Sequence, residues 1–281
     1  SKDYEGLNIE QRHVVDLVIE HINDEKPIRL IISGQGGTGK SRVIDVLSRL
    51  VSKNGGTNTD VVPVVVCAPT GLAAFNVNGT TIHRVLSLPV EHGKPADYSA
   101  LGQDQLTVLK TTLKGLKLLI IDEVSMVSSL LLLFIHLRMT EVMNSNELFG
   151  NVSVCLFADL LQLNPVKGNC PYQQVTFLES KQRLGSIASI DLWKEFQYTE
   201  LTINMRQSGD KAYANLLSSV RVGGVSDLQF ALLSTRRIVP ERRATVTEIS
   251  QLFQTLFEGG ESPMILMPTG ALCQQVNQAM M

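Results

Sequence analysis

Lys40 and Ser41 close the run Gly34-Gln35-Gly36-Gly37-Thr38-Gly39-Lys40-Ser41, which satisfies the pattern GxxxxGK[ST] between an apolar stretch at 28–33 and a stretch with helical apolar spacing at 41–51. The chemistry of such a run is capture of a polyphosphate. A glycine-rich turn wraps its N–H groups around phosphate oxygens, and the start of the following helix adds partial positive charge. Gly34, Gly36, Gly37, Thr38 and Gly39 are expected to form the cradle. Lys40 is expected to reach the β- and γ-phosphates, and the Ser41 hydroxyl to help hold magnesium. The bland alternative, a glycine-rich turn without a ligand, is disfavoured because strand, loop and helix occur in the required order.

A second cluster of chemistry lies in Leu118-Leu119-Ile120-Ile121-Asp122-Glu123, an apolar strand that ends in two carboxylates. Asp122 is expected to hold magnesium through its water shell, and Glu123 to orient or deprotonate the attacking water. A carboxylate pair ending a strand is common on surfaces, but beside a phosphate loop it favours hydrolysis over phosphoryl transfer to a small molecule. The cofactors this implies are ATP and Mg2+.

These groups need a scaffold, and the rest of the chain supplies alternating elements. Helices are expected at about 9–23, 40–52, 70–77, 126–143 and 210–222, and strands at 28–33, 61–68, 116–122, 151–158 and about 198–203. Residues 87–115 and 164–190 read as irregular connections with some helix. Strands that alternate with helices predict an α/β fold with a parallel sheet and helices on both faces.

The 281 residues, 44% hydrophobic and 19% charged, suit about two globular domains. A net charge of −2 excludes a uniformly basic nucleic-acid coat, so any polyanion site must be a local groove. Cys67, Cys155, Cys170 and Cys273 show no CxxC spacing and read as reduced, buried thiols of an intracellular protein. The longest apolar run, around 130–135, falls short of a membrane span, and no charged-then-apolar leader opens the chain. Trp193 and Phe196 are expected in the core, and Phe75 is expected to pack inside its helix rather than to stack on a base.

Beyond the two phosphate motifs, Ala68-Pro69-Thr70-Gly71-Leu72-Ala73-Ala74 is followed by Gly79-Thr80-Thr81-Ile82-His83-Arg84, and the acidic pair continues as Val124-Ser125-Met126-Val127. With Leu7-Asn8-Ile9-Glu10-Gln11, Asp159-Leu160-Leu161-Gln162-Leu163 and Asn204-Met205-Arg206-Gln207, six separated motifs stand in family order. The chain resembles the Pif-one DNA helicases of superfamily one, including the branch found in eukaryotic rolling-circle transposons. The resemblance implies a RecA-like P-loop NTPase fold and an ATP-dependent helicase moving 5′ to 3′ on single-stranded or forked DNA, in repair, recombination or telomere maintenance. It implies nuclear placement in a eukaryote.

The same resemblance gives Gln11 as the reader of adenine, Gln162 as the γ-phosphate sensor and Arg206 as the arginine finger. Taken alone, an arginine after a strand more often serves as a surface ion-pair partner. Pro69, Thr70, Gly71, His83 and Arg84 are the expected DNA contacts, on loops at the carboxyl ends of strands, where open α/β sheets bind ligands. Taken alone, His83 is more often a satisfied structural histidine. The pairs Arg236-Arg237 and Arg242-Arg243 read as solvated linker surface.

The chain departs from the family at Ala158, where a glycine is usual, at Asn164, where a proline is usual, and at Leu160, where an aromatic is usual. If the backbone at 158 had positive φ, alanine would weaken coupling there. Met264-Ile265-Leu266-Met267-Pro268-Thr269-Gly270 resembles the opening of a second RecA-like lobe. The expected division is a first RecA-like lobe at 1–204 and an incomplete second lobe at 205–281. Two other readings stay open: a nucleotide- or DNA-binding remnant without unwinding activity, and a small-molecule kinase, for which no arginine-rich lid is evident.

Overall fold

The computed structural model describes residues 2–54, 61–90, 97–166, 168–184, 191–206, 209–239 and 242–280. The chain forms two compact units, Ser1–Lys211 and Ala212–Met281.

In the first unit, helices α1 (Lys2–Glu5) and α2 (Ile9–Asn23) precede strand β1 (Arg29–Gly34), and α3 (Lys40–Asn54) leads into β2 (Val64–Ala68). The short elements α4 (Gly71–Asn76), β3 (Thr80–Thr81) and α5 (Ile82–Val85) follow, then α6 (Gln103–Thr112) and β4 (Leu118–Ile121). Helix α7 (Ser129–Met143) leads to β5 (Ser153–Ala158), and α8 (Phe177–Leu184) to β6 (Gln197–Leu201). Helix α9 (Lys211–Val222) begins at the division, and α10 (Asp227–Ser234), α11 (Val246–Glu258) and α12 (Gly270–Met280) lie in the second unit.

The strands pair in parallel in the order β3-β2-β4-β5-β1-β6. Period-two alternation sends their side chains to two cores. Leu30, Ile32, Leu118, Ile120, Cys155 and Phe157 pack with Val14 and Val18 of α2 and Val43 and Leu47 of α3. Ile31, Leu119, Ile121, Val154 and Leu156 pack with Leu132, Ile135 and Met139 of α7. Burial on both faces is why β1, β4 and β5 read as continuous apolar runs. Each such side chain contributes about 1.5–3 kcal/mol by leaving water.

Local chemistry sets the helix starts. Asn8 Oδ1 accepts the Gln11 N–H at 2.9 Å, and Gln11 Oε1 accepts the Asn8 N–H at 3.0 Å, a reciprocal capping box on α2. Thr70 caps α4 through the Ala73 N–H at 3.2 Å, and Ser128 caps α7 through the Leu131 N–H at 3.1 Å.

The structure departs from the sequence reading at Phe75 and at two of the cysteines. Phe75 is 79% exposed, because the short helix α4 buries only Ala74. Cys67 and Cys155 are buried free thiols, but Cys170 is half-buried and Cys273 exposed, since both lie outside the sheet. Two-residue β3 gives too short a signal for alternation to reveal. Trp193 and Phe196 do join the core around Phe149. Among the described residues, no helix is long and apolar enough to cross a membrane.

The second unit is helical among its described residues, and 264–267 carries no strand there. This unit buries little: Leu216 and Val276 are its buried apolar side chains among the described residues, while Leu228, Met264 and Leu266 are largely exposed. Arg242, within the basic stretch, is engaged by Glu248 through two bonds of 2.9 and 2.6 Å.

Candidate functional site

The carboxyl ends of four adjacent strands, β4, β5, β1 and β6, carry the chemistry. The phosphate loop follows β1, Asp122 and Glu123 follow β4, Asp159 and Gln162 follow β5, and residues 202–206 follow β6. Neighbouring strands therefore deliver side chains distant in sequence to one edge of the sheet.

The loop is folded by its own bonds. Thr38 is fully buried, and its Oγ1 donates to the Gln35 carbonyl at 2.9 Å. Gly37 and Gly39 have φ of +93° and +83°, which glycine adopts without strain. A Cβ at Gly37 would also strike Asn204 and Arg206, and one at Gly39 would strike the Gln11 amide. The Lys40 ammonium donates to the Gly34 carbonyl at 2.6 Å and the Gln35 carbonyl at 3.5 Å. Phosphate oxygens entering the loop would take over those bonds. Ser41 is exposed at the start of α3, where the first helical N–H groups have no intrahelical acceptor.

Asp122 is buried, and its Oδ1 has no hydrogen-bond partner among the described residues. Burial pushes its carboxyl up to about 6, opposed by the Glu123 N–H, reinforced by the Glu123 charge and opposed again by Lys40. An unsatisfied, desolvated carboxylate oxygen beside a phosphate loop suits a divalent cation, and magnesium held mainly by phosphates and water needs few protein ligands. Glu123 is half-buried and sits in left-handed backbone, φ 52° and ψ 43°. For a non-glycine residue this conformation costs on the order of 1–3 kcal/mol and turns the chain sharply out of β4.

Gln162 is exposed, and its Nε2 donates to Asp159 Oδ2 at 2.9 Å. Asp159 is itself buried and accepts the Leu161 N–H on Oδ1 at 3.3 Å. The sequence does not disclose its bond to Gln162, although an aspartate at a strand end carries the Asx-turn signature that sets Oδ1 on the N–H two residues on. Ala158 lies in extended β5 and is absent from the positive-φ residues, so alanine sits there without strain. Leu160 packs on the edge of the core in place of an aromatic.

Gln11, only 3% exposed, lies under the loop, where its Nε2 donates to the Thr38 carbonyl at 2.9 Å. Arg206 is exposed, and its backbone is held over the loop: the Met205 N–H donates to the Gly37 carbonyl at 2.8 Å, and Asn204 Oδ1 accepts the Arg206 N–H at 2.9 Å.

The residues expected to touch DNA divide in two. Pro69, Thr70 and His83 line one cavity of about 340 Å³ together with Met126, Leu131 and Pro165. Arg84 lines a separate groove of about 520 Å³ with Thr80, Asp104 and Val108. Gly71, at the start of α4, is exposed and lines neither. The first cavity joins the nucleotide side by two short routes. Met126 is three residues after Glu123, and Pro165 three after Gln162.

The model of the family described as PIF1-like helicase matches residues 6–229. The chain is 30% identical over 259 residues to the ATP-dependent DNA helicase PIF1 of Candida albicans, covering 90% of this chain and 26% of that protein. A Bacteroides Pif1 structure bound to single-stranded DNA is similar with a TM-score of 0.58 and 27% identity, over 85% of this chain and 51% of that one. A Bacteroides Pif1 structure in complex with ADP-AlF4 is similar with a TM-score of 0.56 and 28% identity, over 82% and 50%. The chain thus spans about a quarter of that curated relative and half of those solved chains. With the parallel sheet, the phosphate loop and the acidic pair in the places described, the chain belongs to the PIF1-like helicase family.

Proposed function

We propose that this chain is the ATP-hydrolysing lobe of an ATP-dependent DNA helicase, followed by the start of a second RecA-like lobe. The division between units at Lys211 supports a first lobe close to 1–204. Single-stranded or forked DNA is the partner, 5′ to 3′ the direction, and repair, recombination or telomere maintenance the setting that family membership suggests.

The observation that carries this reading is the shared wall. Within three residues of chain, Glu123 and Gln162 pass from the nucleotide edge to the cavity formed by Pro69, Thr70 and His83. ATP would place its phosphates in the 34–41 loop, with Lys40 exchanging its carbonyl partners for the β- and γ-oxygens. Asp122 and Ser41 would hold magnesium, which when bound neutralises phosphate charge. Glu123 orients and deprotonates the attacking water. Gln162, aimed by Asp159, contacts the γ-phosphate, and Arg206 stabilises the charge that develops on it. Loss of the γ-phosphate relaxes Gln162 and Glu123, and with them Pro165 and Met126 in the wall of the cavity.

On the DNA side, Thr70, His83 and backbone groups at Gly71 contact phosphates, and the apolar floor accepts a base with little sequence readout. Arg84, in its separate groove, contacts a phosphate beyond that cavity.

Binding linkage tests the reading. If the sites are coupled, an ATP analogue changes the affinity for a single-stranded oligonucleotide, measured by anisotropy, by the factor with which DNA changes the affinity for the analogue. Oligonucleotide affinity that ignores nucleotide would contradict it.

A further inference from the structure

Three donors converge on one carboxylate that the nucleotide motifs leave aside. The Thr202 N–H reaches Glu10 Oε2 at 2.7 Å, the Thr202 hydroxyl reaches Oε1 at 2.6 Å, and the Ile203 N–H reaches Oε2 at 3.1 Å. An acidic residue in the first turn of α2 reads from sequence as a partner for the helix dipole. Three bonds to residues 192 and 193 positions away assign it a different task. Bonds from N–H and O–H groups to an ionised acceptor are roughly twice as strong as neutral ones. Burial works against the charged form of Glu10, but the Thr202 and Ile203 donors outweigh it and hold the carboxyl below its ordinary range.

Thr202 lies four residues before Arg206, and the stretch between is fastened to the phosphate loop. Asn204 Nδ2 donates to the Gly36 carbonyl at 3.3 Å, and the Met205 N–H to the Gly37 carbonyl at 2.8 Å. On the other side, Gln11 bonds the Thr38 carbonyl at 2.9 Å. A closed circuit results: first turn of α2, phosphate loop, arginine segment, and back to α2 through Glu10. Adjacent residues of one helical turn thus fix both the loop and the segment that bears the arginine.

We infer that Glu10 is the positioning residue for Arg206, its carboxylate clamping Thr202 and Ile203 to α2 and so setting where the arginine stands over the phosphate loop. The inference rests on the reading of Arg206 as the arginine finger. Glu10 touches no reacting atom; it acts through the backbone of 202–206. Its effect falls on the transition state, because a guanidinium displaced by about 1 Å loses most of its stabilisation of developing charge, a penalty on the order of 100-fold.

The test needs no turnover. Fluorescent mant-ADP is titrated into the full chain with magnesium, with and without aluminium fluoride, which completes a mimic of the transferring phosphoryl group. In the parent, aluminium fluoride should tighten binding. Glu10→Ala should lose at least about tenfold of that tightening while the affinity for mant-ADP alone stays at the parental value. Glu10→Gln, which keeps the length and one acceptor oxygen, should recover part of it, and Thr202→Val should lose part of it. Melting temperatures identify unfolding, and a clamp that served stability alone would lower them without splitting the two affinities.

Arg206→Ala, run in parallel, separates the two claims. If it abolishes the tightening while Glu10→Ala and Thr202→Val keep it, the Glu10 proposal is overturned and the arginine reading stands. If Arg206→Ala keeps the tightening, the arginine reading falls, and the proposal with it. A parent that shows no tightening overturns both. If Glu10→Ala does not fold, the Thr202→Val and Glu10→Gln results decide.

Discussion

Glu123 and Met126 are joined by a single turn of 3-10 helix, closed by the Met126 N–H on the Glu123 carbonyl at 3.1 Å. The left-handed backbone of Glu123 starts that turn, and Met126 ends it in the wall of the cavity shared by Thr70 and His83. Glu123, proposed to orient the attacking water, and Met126, in the wall of the cavity proposed to take DNA, are thereby ends of one hydrogen-bonded turn.

If Glu123 activates water, Glu123→Gln should lower steady-state ATP hydrolysis by roughly 10²- to 10⁴-fold while ATP binding persists. The side chain keeps its size and loses its basicity. Single-turnover rates and binding titrations of the same variant give the comparison, and a parental rate would remove Glu123 from the mechanism.

Asp159 is expected to act through Gln162. Asp159→Ala frees the Gln162 amide from its 2.9 Å bond, so kcat should fall on the order of 10- to 100-fold with little change in nucleotide affinity. Gln162→Ala in the same background should add nothing further. Additive losses in that cycle would show that the two residues work separately.

Gly39→Ala should be costly for two separate reasons. The φ of +83° penalises an L side chain by about 1–2 kcal/mol, and the new methyl meets the Gln11 amide. Lower thermal stability together with weaker ATP binding is the expected pair of results. An alanine variant with parental values for both would mean that the loop and Gln11 are not locked as described.

His136 makes stability depend on pH. It is buried, its Nδ1 accepts the Phe149 N–H at 3.1 Å, and burial holds its pKa below the ordinary value. The unfolded chain therefore binds the proton more readily. Stability is whole above about pH 6.5 and is lost as pH falls toward the depressed native value, with a slope of at most about 1.4 kcal/mol per pH unit. His136→Gln keeps an acceptor and removes the titration, so chemical denaturation between pH 7 and 5 should show a shallower slope. An unchanged slope would place the acid sensitivity elsewhere.

How far the sequence discloses this molecule depends on the range of the forces involved. Buried strands such as β4 and β5, with four and six consecutive buried residues, announce themselves through continuous apolar runs, and helix α2 through its cap and periodicity. The phosphate loop and the acidic pair are equally plain, because contiguous residues make them. Phe75 escapes such a reading because the six-residue α4 has too little periodicity to reveal its buried face. The task of Glu10 was invisible for another reason: its partners lie at the far end of the first unit, and only the order of β1 and β6 in the sheet brings them together. Asp159 stood within a recognised motif, yet its bond to Gln162 depends on the turn that follows β5.

The proposed function couples the nucleotide edge to the cavity of Thr70 and His83. Steady-state ATP hydrolysis by this chain, with and without single-stranded DNA and with Lys40→Ala as the blank, tests it most directly. Turnover should rise with DNA and vanish in Lys40→Ala. Hydrolysis equal to the blank, or unchanged by saturating DNA, would contradict it.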